Sequence, residues 1–183
     1  YAEWTNHHLD YGEQTLLDIY NENLATHGTW PAPWIFGRQQ SYHELDIQVR
    51  AAAAGLKAFG IRPGDRVAMA LPNCPQHIAA FYAVLKLGAI VVEHNPLYTA
   101  HELEGLFQDH AARVAIVWDK MTATFEQLRE TTPLETIISV NMTEAMPRSK
   151  QLLLRIPIPP ITEQREQLTA PAPNTVPLSL IHI

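Results

Sequence analysis

Features that define several large classes of proteins are scarce in this chain of 183 residues. No apolar run approaches the roughly 20 residues that a membrane-spanning helix needs, and the first residues lack the pattern of a secretory signal peptide. The one cysteine, Cys74, cannot form a disulfide within the chain, which favours the reducing cytoplasm. The formal net charge of −6 argues against nucleic acid as a partner. The sequence therefore predicts a cytoplasmic globular protein with one core and a smaller appendage.

Glycine-rich phosphate-binding loops are also missing from the sequence. The eight glycines fall at predicted turns, helix ends or helix faces, and none follows Gly105. Gly60 and Gly64 are the closest pair, but neither a third glycine nor a Lys-Ser/Thr pair follows them. We interpret this pair as a structural turn rather than as a nucleotide loop.

Candidate catalytic and metal-binding residues are few. His94, beside Glu93 at a predicted strand end, is the best ligand candidate, because strand ends line ligand clefts in parallel sheets. A hydrogen-bonded or surface histidine is the favoured alternative. Cys74 at a helix start is open to a lowered pKa, although a buried, inert thiol is favoured. Since Ser41 and Ser139 lack a nucleophile-elbow context, we assign no catalytic, cofactor-binding or metal-binding residue.

What the sequence does contain is a strand–helix–strand unit over residues 60–96. Arg62-Pro63-Gly64-Asp65 has the composition of a type II turn, with proline at its second position and glycine at its third. The apolar run over residues 67–71 predicts a strand that is buried on both faces. Gly88 ends the intervening helix, and residues 89–92 predict a second buried strand.

The helix inside this unit has its own start signals. Asn73 is predicted to cap it, Pro75 lies in its first turn, and Gln76 is placed to reach back to the cap. Residues 78–87 are apolar almost all round, which predicts a largely buried helix. Phe81 is expected to pack on the neighbouring strands.

Helix and strand patterns alternate through the rest of the chain as far as residue 140. We predict an amphipathic helix over 15–27, a hairpin over 34–41, helices that open at the capping pairs Ser41/Glu44 and Thr99/Glu102, a strand over 114–117, a helix near 121–129 and a strand near 136–140. Such alternation specifies an α/β fold with a mostly parallel sheet flanked by helices.

The composition changes after residue 140. Seven of the 14 prolines lie between Pro147 and Pro177, and this region has no glycine. Residues 141–183 are therefore predicted to form a proline-rich tail that is extended or irregular and less ordered than the body.

An ordered series of short motifs carries a resemblance to a known family. In chain order these motifs are Ser41–Leu45, Gly60–Val67, Leu71–Pro75, Leu85–Ala89, His94–Thr99 and Glu102-Leu103. Together they resemble the N-terminal part of the adenylate-forming (AMP-binding) superfamily, specifically the long-chain fatty-acid–CoA ligases. The stretch Asn95–Thr99 is similar to acyl-CoA ligases, whereas amino-acid-activating domains usually carry an aspartate–proline pattern there. The resemblance covers residues 9–140 well and the tail loosely.

This resemblance implies a fold and a reaction. Residues 1–140 would be the first, incomplete α/β layer of the adenylate-forming large domain, and the tail would lead toward its phosphate loop. ATP and a fatty acid would give an acyl-adenylate, and coenzyme A would then give the thioester, with Mg²⁺ offsetting phosphate charge. The family's phosphate loop, adenine-binding motif, hinge and C-terminal lysine have no counterpart in this sequence. No catalytic residue is therefore carried over, and ATP, Mg²⁺ and coenzyme A are expected to bind only the full-length ligase.

Two functions stay open on the sequence alone. The first is an N-terminal fragment of a fatty-acid–CoA ligase that is inactive by itself and whose partner is the rest of the ligase chain. The second is a stand-alone, non-enzymatic binding or regulatory module built on the same layer. The apolar end, Leu178–Ile183, and the missing initiator methionine favour the fragment. The expected location is cytoplasmic, with peripheral contact at the inner membrane as a further option.

Overall fold

A five-stranded parallel sheet between two groups of helices organises the molecule, as a computed structural model shows for Trp4, residues 12–35 and residues 37–181. The elements are α1 Leu16–His27, β1 Pro31–Ile35, β2 Arg38–Ser41, α2 Tyr42–Ala58, β3 Arg66–Ala70, α3 Pro75–Lys86, β4 Ile90–Glu93, α4 Ala100–His110, β5 Val114–Trp118, α5 Thr122–Leu128, β6 Thr136–Val140, α6 Arg148–Leu153, α7 Pro159–Leu168, β7 Val176–Pro177 and α8 Leu178–Ile181. Short 3₁₀ turns over Asp119–Met121 and Met142–Ala145 follow β5 and β6.

The sheet has the strand order β4-β3-β5-β6-β7, and every neighbouring pair is parallel. Val67 and Met69 of β3 face a core that includes residues of α2 and α3. Ala68 and Ala70 face a second core, built with residues of α4 and α5. Because successive residues of a strand point to opposite faces, both sides of the sheet are covered, which confirms the predicted α/β class.

Local signals in the sequence placed several elements correctly. Ser41 and Glu44 form the predicted capping box at the start of α2, and Thr99 and Glu102 form the one at the start of α4. In the turn before β3, Gly64 has a φ of +85°, and the amide of Asp65 donates to the carbonyl of Arg62 at 3.1 Å. A positive φ at the third position of a turn is what selects glycine there.

The predicted hairpin is present as the antiparallel pair β1–β2, in which Ile35 lies opposite Arg38. Phe36, which the prediction placed in this hairpin, lies outside the described residues. The predicted helix near 121–129 is α5, and the predicted strand over 136–140 is β6 with the same bounds.

Pro75 lies in the first turn of α3 as predicted, but the predicted capping of this helix is wrong. Cys74, not Asn73, is the N-cap residue, and no side chain caps the helix. Gln76 does not reach back to the cap, because its side-chain amide donates to the carbonyl of Asn141 at 3.1 Å. That carbonyl lies just after β6, so the tertiary contact replaces the local one.

One burial prediction in the central unit is confirmed and one is wrong. α3 is largely buried, with Ala80 and Val84 fully buried, and the half-buried Phe81 packs against the core that includes residues of β3. β4 was predicted to be a buried strand, but it lies at the edge of the sheet, and Ile90 is 46% exposed. An apolar run does not distinguish an edge strand from a central one, since only the neighbouring strands decide its exposure.

The predicted extended or irregular tail is contradicted over residues 141–181. This region contains α6 and α7, and β7 pairs in parallel with β6, with Val176 opposite Ile138. Pro159 and Pro160 occupy the first turn of α7, where a helix makes no use of the missing amide hydrogen. The prolines therefore start a helix instead of breaking one. The division of the chain at residue 140 stays a prediction.

Among the described residues, no helix is long and apolar enough to cross a membrane.

Candidate binding cleft at the carboxyl edge of the sheet

The carboxyl ends of the parallel strands meet at one edge of the sheet. Cys74 and Gln76 follow β3, Asp119 follows β5, Asn141 follows β6 and Ser179 follows β7. Ligands of parallel α/β sheets bind outside this edge, because the strands end there and the connecting loops diverge. The edge is therefore the place to look for a binding site.

A cleft of about 270 Å³ lies at this edge. Its lining combines apolar residues such as Val140 and Leu178 with the polar side chains of Arg38, Gln40, Gln48, Gln76, Asn141, Glu144 and Ser179. A smaller depression of about 180 Å³ adjoins it, and it shares Asn141, Glu144 and Ser179 with the cleft while reaching Asp119 and Ser139.

Two buried amide side chains leave one polar atom each unpaired in this cleft. Oε1 of Gln40 accepts from Nε2 of Gln48 at 3.1 Å, whereas Nε2 of Gln40 has no partner among the described atoms. Nε2 of Gln76 donates to Asn141, whereas Oε1 of Gln76 has no partner among them. Both atoms are buried behind the wall of the cleft, and a buried polar group without a hydrogen bond costs free energy.

Two carboxyl groups lie at this edge: Glu144 lines both the cleft and the depression, and Asp119 lines the depression. Burial raises the pKa of Asp119 above its usual value, although a hydrogen bond from the Thr169 hydroxyl opposes the shift. Burial raises the pKa of Glu144 in the same way, against a hydrogen bond from the Ser179 hydroxyl at 3.3 Å. These shifts indicate surroundings that disfavour negative charge.

The cleft does not fit a nucleoside triphosphate by itself. Arg38 is the one cationic side chain of its lining, and both carboxyl groups would repel phosphate. A triphosphate needs a loop of closely spaced backbone amides, and no such glycine-rich loop occurs in the part of the chain that the structure describes. Among these same residues, no group of three or more His, Cys, Asp or Glu is placed to hold a metal ion.

Cys74 is buried at the start of α3, and burial raises the pKa of its thiol to about 11. The nearby backbone amides of His77 and Gln76 oppose the shift without cancelling it. The thiol is therefore protonated at neutral pH, in agreement with the favoured prediction of an inert cysteine.

His94 does not line the cleft. It is buried, and its Nε2 lies 3.1 Å from Nε2 of His110, so the hydrogen-bonded alternative is the correct one. Ser41 caps α2, and the Ser139 hydroxyl accepts a hydrogen bond from Thr175 at 2.8 Å. Neither His94 nor Cys74 therefore lines the cleft, although Pro75 and Gln76, which directly follow Cys74, do.

Sequence reasoning missed the residues that do line the cleft, above all Gln40, Gln76 and Asn141. Asn141 was open to detection, because a polar residue directly after a buried strand lies at the ligand-binding edge of a parallel sheet. Gln40 gave no signal, since it belongs to the separate β1–β2 hairpin and reaches the cleft only through tertiary packing.

Comparison with known proteins decides the family. The profile of the family described as "AMP-binding enzyme" matches residues 20–177. The chain belongs to this family. The match confirms the resemblance drawn from the ordered motifs.

Relatives of this chain are acyl-CoA ligases. A long-chain-fatty-acid–CoA ligase of Bacillus subtilis is 32% identical over 168 residues, which are 90% of this chain and 29% of the ligase. The crystal structure of an anthranilate CoA ligase in complex with anthranoyl-AMP is 27% identical, with a TM-score of 0.64, over 68% of this chain and 24% of that one. A long-chain-fatty-acid-CoA ligase of Archaeoglobus fulgidus shares the fold, at 24% identity and a TM-score of 0.66, over 75% of this chain and 30% of that one.

The chain spans less than a third of the length of the curated relatives that it matches. It covers 29% of the ligase from Bacillus subtilis and 25% of one from Escherichia coli.

Proposed function

We propose that this chain is the N-terminal part of a fatty-acid–CoA ligase. The ligase would use ATP to convert a fatty acid to an acyl-adenylate and pyrophosphate, and coenzyme A would then displace AMP to give the thioester. Within it, residues 1–140 would form the first α/β layer of the large domain, and residues 141–183 would lead from this layer toward the phosphate loop. ATP, Mg²⁺ and coenzyme A would be the cofactors of the complete ligase.

The similarity to long-chain-fatty-acid–CoA ligases is the observation that supports this proposal most strongly, since the ligase of Bacillus subtilis is 32% identical over 90% of this chain. In the proposal, the cleft at the carboxyl edge binds the substrate or a neighbouring part of the ligase, and its polar side chains supply the hydrogen bonds. The similarity to a ligase crystallised with anthranoyl-AMP supports an acyl-adenylate as the compound that the complete ligase forms.

The composition of the same cleft indicates that other parts of the ligase supply some of the binding groups. Because the cleft does not fit a triphosphate, we propose that this chain supplies one wall of the site and is not catalytic by itself. The groups that hold the phosphates would come from the rest of the ligase, which is then the principal partner of this chain.

We place the proposed ligase in the cytoplasm, in peripheral contact with the inner membrane. A long-chain fatty acid partitions into the bilayer because each buried methylene contributes about 0.8 kcal/mol. A ligase that works at the membrane surface therefore meets its substrate where the substrate accumulates.

The exchange of labelled pyrophosphate into ATP tests the non-catalytic role. We expect the purified chain to show no fatty-acid-dependent exchange, and a complete fatty-acid–CoA ligase in the same assay to show it. Exchange that follows the chain through successive purification steps would contradict the proposal, because the described residues would then suffice for catalysis.

A further inference from the structure

A second depression, of about 480 Å³, lies at the amino edge of the sheet, opposite the candidate cleft. It is bounded by the turn before β3 and by the starts of β3, β5 and β6. Three arginines, two acidic residues and one aromatic residue belong to its lining: Arg62, Arg66, Arg113, Asp65, Glu135 and Phe59. We call this depression the amino-edge site. The proposed function assigns no role to it.

The register of the sheet places two of these arginines side by side. Val67 of β3 is paired with Val114 of β5, so Arg66 and Arg113, each one residue earlier, occupy neighbouring positions. Because side chains alternate along a strand, both arginines lie on the same face of the sheet. Like charges at neighbouring positions repel each other, so this pair is unfavourable unless an anion lies beside it.

The acidic residues of the amino-edge site compensate one arginine and leave two without a partner. Glu135 accepts two hydrogen bonds from Arg113, at 2.8 Å from Nε and 2.6 Å from Nη2. Oδ2 of Asp65 accepts from the backbone amide of Arg62 at 2.8 Å. Glu135 and, to a smaller extent, Asp65 also raise the pKa of Arg113. Neither the Arg62 nor the Arg66 side chain forms an ion pair with any residue that the structure describes.

The glycines of the amino-edge site are engaged in turns. The amide of Gly60 donates to the carbonyl of Lys57 at 3.0 Å, and the amide of Gly64 donates to the carbonyl of Gly88 at 2.8 Å. A bound anion would therefore be held by guanidinium groups and not by a loop of backbone amides. A Cβ atom built on Gly60 or Gly64 would meet nothing within 4 Å, so the space beside both glycines is open.

We propose that the amino-edge site binds a small, soluble phosphate monoester that carries a ring. Two guanidinium groups without partners, those of Arg62 and Arg66, match the charge of nearly −2 on a phosphate monoester at neutral pH. The planar guanidinium group also bonds phosphate oxygens in pairs. Phe59 is 42% exposed in the same lining, and its ring provides a surface on which the ring of the ligand stacks. The inference goes beyond the proposed function, because it concerns the opposite edge of the sheet.

Titration calorimetry of the full chain with three probes tests the proposal without any ligase activity. Phenyl phosphate carries both the phosphate and the ring, inorganic phosphate carries only the first, and phenol carries only the second. We expect saturable binding of phenyl phosphate, weaker binding of inorganic phosphate and no binding of phenol. Binding of phenyl phosphate should weaken at high salt, since salt screens exposed charges.

Single substitutions test the two parts of the amino-edge site separately. Arg62→Gln and Arg66→Gln should each weaken the binding of phenyl phosphate about tenfold, which is typical for the loss of a hydrogen bond to a charged group. Arg155→Gln is the control, because it removes an exposed arginine that does not line the site and should leave binding unchanged. Phe59→Ala should reduce the affinity for phenyl phosphate to that for inorganic phosphate, and it should leave the affinity for inorganic phosphate unchanged.

Circular dichroism of each variant shows whether the fold is kept, which the exposure of all these side chains predicts. Arg66→Lys keeps the charge but not the planar group, so its affinity should lie between those of the wild type and Arg66→Gln. Equal losses in Arg66→Gln and Arg155→Gln would overturn the proposal, because net charge alone would then explain binding. No binding of phenyl phosphate in calorimetry and phosphorus NMR, or equal binding of phenol, would overturn it too. So would a loss confined to Arg38→Gln, which would place the probe in the cleft at the carboxyl edge.

Discussion

The hydrogen-bonded pair of His94, which is buried, and His110 makes the stability of this protein sensitive to acid. Nδ1 of His110 accepts from the amide of Ala112 at 3.0 Å, so the proton of the neutral His110 ring is on Nε2. That Nε2–H then donates to Nε2 of His94 at 3.1 Å, and His94 carries its own proton on Nδ1. Protonation of His94 would place two N–H groups against each other and a charge beside Phe107, on which the His94 ring stacks.

The magnitude follows from the difference between the folded and unfolded chains. Burial, with the neighbouring His110 as a second cause, lowers the pKa of His94 from 6.5 to about 4, although Glu93 opposes the shift. Between these values the unfolded chain binds more protons than the folded one, so stability is present above the unfolded pKa and is lost as the pH falls toward the folded pKa. The expected loss from this one group is about 2 kcal/mol between about pH 7 and pH 5.

Urea denaturation of the wild type and of His94→Gln at both pH values measures this loss. Glutamine keeps an acceptor for His110 but does not titrate, so the variant should lose about 2 kcal/mol less than the wild type on acidification. Any constant cost of the substitution cancels in this difference. His101→Gln, which changes an exposed histidine of α4, is the control and should follow the wild type. Equal pH dependence in wild type and His94→Gln would refute the reasoning.

Three further substitutions test the packing, the backbone and the cleft. Phe107→Ala should lower the free energy of unfolding by about 3–5 kcal/mol because Phe107 is fully buried, whereas Phe81→Ala should lower it by only about 1–2 kcal/mol because Phe81 is half-buried. Equal losses for the two variants in urea denaturation would contradict this difference in burial. Ala111 ends α4 with a φ of +52°, so Ala111→Gly should stabilise the protein by about 0.5–1 kcal/mol, and destabilisation would show that the strain is absent. Asp119→Asn should stabilise the protein at neutral pH but not in acid, because the raised pKa of Asp119 means that ionisation of this buried carboxyl group costs stability. Thermal unfolding of the wild type and the variant at neutral and acid pH measures the effect, and equal stabilisation at both pH values would contradict the prediction.

The sequence was enough to predict the architecture because its local signals agree with the tertiary structure. The capping pairs Ser41/Glu44 and Thr99/Glu102 are read from four residues each, and the turn at Gly64 depends on one backbone angle. The alternation of apolar runs and helical spacings then left a parallel α/β sheet as the consistent arrangement.

What could not be predicted depends on residues that are distant in sequence. β4 is exposed because no described strand pairs with its outer edge. Gln76 does not cap α3 because its side chain bonds the carbonyl of Asn141, which is 65 positions away in the sequence. The helices of the tail were missed because proline was interpreted as a breaker, although Pro159 lies where a helix accepts it. The cleft combines residues of a hairpin, a helix and a strand end, and no local pattern joins them.

Exchange of segments between ligases tests the central claim most directly. Residues 20–177 of this chain, the span that matches the family, would replace the corresponding segment of the Bacillus subtilis long-chain-fatty-acid–CoA ligase. If this chain is one structural part of such a ligase, the chimera should fold and catalyse fatty-acid-dependent pyrophosphate exchange, while the same ligase without the segment should not. A chimera that folds cooperatively but shows no exchange would contradict the account and would favour a binding module built on the same α/β layer.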